Sequence, residues 1–156
     1  MSQSLPPPIL ELIGGRDWSK PTTRDWAGVL AELPLFDEVG KRHLNKVAAL
    51  ARVGEFPAGT VVIQQGEPGD ALHLILSGRA RVLSKRPKLL RTGDYFGEMA
   101  LLDGAPRSAT VVADTELQTM TLPRKPFLRL LRSEPSIALA MLNRLAKRVR
   151  ALEKAD

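Results

Sequence analysis

Two side chains of opposite charge, Glu98 and Arg107, stand nine residues apart in the run Tyr95-Phe96-Gly97-Glu98-Met99-Ala100-Leu101-Leu102-Asp103-Gly104-Ala105-Pro106-Arg107-Ser108-Ala109-Thr110. Arginine keeps its charge and presents a planar fork of donors that matches a phosphate. Gly97 permits a positive φ angle or a close backbone approach. Glu98 to Leu102 can form one helical turn, and the free N–H groups of such a turn, Met99 and Ala100 among them, favour an anion. Ser108 adds a small hydroxyl beside the arginine, and Ala109 is small enough to let the backbone crowd a ligand. A carboxylate in an anion site repels the ligand unless it faces a neutral hydroxyl. The chemistry these residues suit is therefore non-covalent capture of a phosphate group with a free hydroxyl beside it. The plainer alternative is a surface ion pair of no special function, which contributes little; the complete set of neighbours argues for the site.

The rest of the chain offers little to catalysis. There are no cysteines, which excludes disulfides, zinc thiolate sites and thiol nucleophiles. His43 and His73 are the only histidines, and a metalloenzyme needs three or four converging ligands. His43 is expected on a helix surface and His73 packed in a strand. No nucleophile elbow, Walker loop or kinase motif occurs. The expectation is a protein that is not an enzyme, without metal or cofactor.

A chain of 156 residues, 44% apolar, fits one domain able to fold without disulfide or metal help. No apolar run approaches the roughly 18 residues of a membrane helix, and the N-terminus lacks the basic, apolar pattern of a secretion signal. A soluble, cytoplasmic protein without a membrane segment is expected. The net charge of +6 comes from residues 121–156, where nine Lys or Arg face three Asp or Glu; elsewhere the charges balance. A solvated basic helix face is the expected meaning, with binding to an acidic partner as the alternative.

Which elements would position these groups? Residues 1–22, with Pro6-Pro7-Pro8 and Gly14-Gly15, read as a flexible tail, on which Trp18 is a candidate for local docking. Residues 23–156 form the domain. A helix is predicted over Thr23–Leu33, ended by Pro34, and a second one capped by Asp37. Short runs rich in Val, Ile, Leu and Thr follow at Thr60–Gln64, Leu72–Leu76, Arg79–Leu83, Leu89–Thr92, Ser108–Ala113 and Glu116–Leu122, separated by turn residues. Such spacing predicts a mainly β fold, an antiparallel jelly-roll-like barrel. Two C-terminal helices close the chain. The first places Phe127, Leu130 and Leu131 on one face. The second, capped by Ser133, repeats Ala138, Leu142, Leu145, Val149 and Leu152 at heptad spacing. That stripe is either a dimer seam or the face laid on the barrel, and the latter is expected.

The run Phe96 to Ala113 resembles the phosphate-binding cassette of cyclic nucleotide-binding domains, F-G-E-x-A-L, a short gap, then P-R-S-A. Val62 to Leu72 and Leu74 to Gly78 resemble the family's other signature, a glycine-punctuated hairpin. The likeness covers roughly Ala27 to Leu152. His73 departs from it, standing where an aromatic or aliphatic residue is usual.

The resemblance implies a β-roll with flanking helices that binds cyclic AMP, or alternatively cyclic GMP, as a signal. Glu98 would accept a hydrogen bond from the ribose 2′-hydroxyl and Arg107 would pair with the exocyclic phosphate oxygens. Gly97, Met99, Ala100, Ser108 and Ala109 would complete the site. Ser108 does not discriminate between the two bases. The last helix would close over the base, with Arg148, or Arg144 one turn earlier, as the stacking residue. Two other roles stand beside this one. A DNA-binding regulator is not expected, because the chain ends four residues after Leu152 without room for a helix-turn-helix. A homodimer, or a contact with a partner domain, would run through the C-terminal helix.

Overall fold

The structure is a computed structural model that describes residues 2–4 and 13–155. The remaining residues of the expected tail, Pro6-Pro7-Pro8 included, lie outside them.

Nine strands among the described residues form two antiparallel sheets. The strands are β1 (Ser2–Ser4), β2 (Arg52–Phe56), β3 (Val61–Ile63), β4 (Ala71–Ser77), β5 (Ala80–Leu83), β6 (Lys88–Leu90), β7 (Asp94–Phe96), β8 (Thr110–Ala113) and β9 (Leu117–Pro123). One sheet runs β1-β7-β4-β9-β2 and the other β3-β8-β5-β6. Helices α1 (Thr23–Leu30) and α2 (Lys41–Ala48) precede the roll, with a 3-10 turn at Pro34–Phe36 between them. A short α3 (Ala100–Asp103) interrupts it, and α4 (Arg124–Ser133) and α5 (Pro135–Lys154) follow it.

The roll is held by two apolar clusters. Ile75, Phe96, Val111, Ala113 and Leu117 lie between the sheets. Leu72, Leu74, Tyr95, Leu101, Met120 and Leu122 face outward onto the helices, where they meet Leu30, Phe36, Phe127 and Ile137. Every side chain of β4 before its last residue is buried, as expected for a central strand covered on both faces.

Several local expectations change. Helix α1 is shorter than its pattern suggested and begins with a capping box of Thr22 and Asp25. Gly40, not Asp37, starts α2; Asp37 instead closes the 3-10 turn and pairs with Arg144. The Ser133 hydroxyl turns back to the Leu130 carbonyl and Glu134 precedes α5 without a side-chain cap. Within the expected tail, two apolar side chains dock on the domain. Ile13 and Trp18 are buried, the Trp18 ring stacks on Trp26 at 5.1 Å, and its indole N–H donates to the Ile13 carbonyl.

The largest correction concerns α5. The heptad stripe does not lie on the roll: Leu142, Val149 and Leu152 are exposed, and Ala138 and Leu145 are only partly covered. The buried face carries Ile137 and Met141, and its continuation is charged. Arg144 reaches Asp37, Lys147 reaches Glu38, and Arg148 reaches Glu98. The helix is therefore docked by apolar contacts near its start and by ion pairs further along, so these basic residues are not merely solvated.

Candidate functional site

Strand β7 delivers Phe96, after which Gly97 turns the chain at φ +84° and α3 follows. A Cβ at Gly97 would stand 2.5 Å from both the Ala71 carbonyl oxygen and Nη1 of Arg107, so only glycine lets the cassette and the arginine approach this closely. The amides of Leu101 and Leu102 turn inward to Gly97 and Met99, whereas those of Met99 and Ala100 lie ahead of the first α3 bonds.

The second glycine-rich segment holds this turn in place from behind. The Gly66 amide donates to the Arg107 carbonyl, the Arg107 amide to the Glu67 carbonyl, and the Gly69 amide to the Ala105 carbonyl. Gly69 is itself pressed on the cassette, since a Cβ there would lie 2.3 Å from the Ala100 methyl. Arg107 is 6% exposed; its Nη2 donates to the Ala71 carbonyl at 2.8 Å and lies 3.3 Å from the Asp70 carboxylate. Burial draws the guanidinium below its usual range while Asp70 works against that shift. It remains a cation at neutral pH.

Glu98, 9% exposed, accepts from Nη1 of Arg148 at 2.9 Å. The buried Tyr95 hydroxyl lies beside the same carboxylate; burial first, then the Glu98 charge and hydrogen bond, push its pKa well up. Behind the cassette, His73 stacks on Phe96 at 5.0 Å and its Nδ1 meets the Thr121 hydroxyl at 3.3 Å. Burial and then the nearby Arg107 charge bring its pKa down to about 4, so the imidazole packs as a neutral ring.

These groups open onto one cleft of about 460 Å³, within the range that holds a small organic ligand. Gly97, Glu98, Met99, Ala100, Arg107, Ser108 and Ala109 all line it, so every cassette residue singled out in the sequence is brought together. Tyr95, Phe96, Ile63 and Arg148 add an aromatic and apolar wall and a second cation. Arg144 does not reach the cleft: its Nε is held by the Pro34 carbonyl and Asp37. Arg148 reaches it as the partner of Glu98. Sequence reasoning missed Asp70, the Ala71 carbonyl and Tyr95. The glycine-punctuated run containing Asp70 was the available signal, since a tight turn that near a cassette has to be packed on something.

The arrangement can bind an anion at Arg107 and accept a hydrogen bond from a neutral hydroxyl at Glu98. Among the described residues, no cluster of His, Cys, Asp or Glu could hold a metal, and no helix is long and apolar enough to cross a membrane.

Known proteins resemble this chain in sequence and fold. A family model described as "Cyclic nucleotide-binding domain" matches residues 53–134. A cyclic nucleotide-gated potassium channel of Mesorhizobium japonicum is 39% identical over 74% of this chain and 32% of its own length. A cAMP-dependent protein kinase regulatory subunit of Yarrowia lipolytica is 44% identical over 67% of this chain and 29% of its own. The chain thus spans about a third of the curated relatives it matches. Among solved structures, the N-terminal domain of a transcriptional regulator from Streptomyces coelicolor superposes with a TM-score of 0.69 at 27% identity, covering 81% of this chain and 93% of that one. The regulatory domain of Toxoplasma gondii PKA with cAMP gives 0.61 at 28% identity, over 83% of this chain and 50% of that one. With its β-roll, its cassette and a family match across more than half its length, this chain belongs to the cyclic nucleotide-binding domain family.

Proposed function

We propose that this chain is a non-catalytic sensor that reversibly binds cyclic AMP, with cyclic GMP as the second candidate. One observation carries the reading: Arg107 and Glu98, both almost fully buried, open into the same cleft beside the leading amides of α3. A cyclic nucleotide presents one negative charge with a free 2′-hydroxyl beside it, which meets both groups at once. The ranking of cyclic AMP first rests on relatives whose names carry it; Ser108 serves either base. Titration calorimetry with each nucleotide tests the reading, and the absence of binding to both overturns it.

In this reading Arg107 and the Met99 and Ala100 amides take the phosphate. The ribose hydroxyl takes Glu98, which loosens the hold of that carboxylate on Arg148. The freed guanidinium then covers the base, a stacking contribution of about 1 kcal/mol. Ligand favours the closed position of α5 by its differential affinity for the two arrangements.

The ribose role has its own test. Glu98→Gln should weaken the natural nucleotide more than its 2′-deoxy analogue. Equal losses in calorimetry would remove Glu98 from the sugar.

A second reading is favoured by the exposed stripe Leu139, Leu142, Val149 and Leu152 on α5, which suits an interaction module. Light scattering separates the two: a monomer with and without nucleotide supports the sensor alone.

A further inference from the structure

Arg124 is the first residue of α4, a position where a cation opposes the helix dipole. Helix stability therefore does not account for it. Its contacts point elsewhere. Nη2 donates to the Leu102 carbonyl in α3 at 3.1 Å. The guanidinium lies against Gly104, the left-handed residue that ends α3; a Cβ there would stand 2.9 to 3.2 Å from Cζ, Nη1 and Nε. The backbone N–H of Arg124 donates to the Asp70 carbonyl at 2.8 Å, and the Asp70 carboxylate is the ion-pair partner of Arg107. One residue thus touches both halves of the anion-binding turn, through its side chain on one side and its backbone on the other.

The Nε of Arg124 is buried and without a hydrogen-bond partner. A buried idle donor is costly. On the far side, α4 leads through Glu134 into α5, whose Arg148 returns to Glu98. The chain of contacts is closed: cassette, Arg124, α4, α5, Arg148, cassette.

We propose that Arg124 is a positioning residue that couples the cassette turn to the C-terminal helices, transmitting occupancy of the cleft to α5. This rests on the nucleotide-binding reading, and the experiment separates the two. The chain has no cysteine, so Lys85→Cys on the exposed β5–β6 turn and Arg150→Cys on α5 give a unique pair of spin-label sites. In that background, cyclic AMP should shift the inter-label distance. Arg124→Ala should still bind the nucleotide, within about tenfold of the parent affinity, but lose at least half of the shift. Arg124→Lys, which keeps charge and stem without the fork, should recover part of it. Gly104→Ala, which displaces the guanidinium, should mimic the loss and serves if Arg124→Ala fails to fold.

Amide hydrogen exchange gives a readout that needs no ligand. Arg124→Ala should speed exchange at Leu101–Gly104 and in the first turn of α4 together, with the roll strands unchanged. A parent-sized shift in Arg124→Ala, or no shift in a parent that binds nucleotide, overturns the coupling role. So does unchanged exchange at both places. A parent that binds neither nucleotide overturns the reading of the cleft, and exchange alone then decides for Arg124.

Discussion

Arg107→Ala is expected to weaken nucleotide binding by at least about 2 kcal/mol, roughly thirtyfold, in titration calorimetry. The side chain has five donors, and its protein contacts are the Ala71 carbonyl and a longer approach to Asp70. The Asp70 side chain is 84% exposed, so that pair is screened and contributes little to holding the guanidinium. The donor capacity left over faces the cleft, where a phosphate would take it in bidentate fashion. Removing the fork leaves the ligand anion with backbone amides alone. Arg107→Lys should fall between parent and alanine, because a point charge replaces the fork without matching its geometry. An unchanged dissociation constant for Arg107→Ala would take the phosphate away from this residue.

Gly97→Ala should lose stability and affinity together. A left-handed φ costs a non-glycine residue about 1–2 kcal/mol, and here the added methyl also meets two neighbours at 2.5 Å. One of them, the Ala71 carbonyl, belongs to a central strand and has nowhere to go. The other, Nη1 of Arg107, must therefore move, which carries the damage into the cleft. Gly59→Ala is the control: its φ is +85°, but nothing lies within 4 Å of the new methyl. It should show only the conformational cost in thermal melting and bind nucleotide like the parent. If the two variants matched in both measurements, close approach at Gly97 would have no part in the site.

The cassette was legible in the sequence because its chemistry is contiguous: turn glycine, acid, helical turn and arginine follow one another within a dozen residues. Its partners were not. Asp70 and Ala71 meet Arg107 across a separation of 37 and 36 residues, a contact that the fold creates and no local pattern encodes. Strand β7 was hidden by brevity, three residues between a glycine turn and the cassette. Strand β2 was hidden by its polar, mostly half-exposed sequence. The orientation of α5 was misjudged for a different reason. Its inner face is fully buried only at Ile137 and Met141 and is then completed by cations that find acids beside the 3-10 turn and in the cassette. A hydrophobicity pattern cannot tell such a face from a solvated one, and the more regular leucine stripe on its flank drew the assignment.

The ion pair between Arg148 and Glu98 bears on how strictly the sugar is judged. A site that hydrogen-bonds a hydroxyl usually rejects the analogue lacking it, because a buried polar group is then stranded. Here a deoxy sugar would strand nothing, since the carboxylate keeps its guanidinium companion on one side and the Tyr95 hydroxyl on the other. Discrimination against the missing oxygen should accordingly be shallow, and substituting Arg148 should make the protein more fastidious about the ribose.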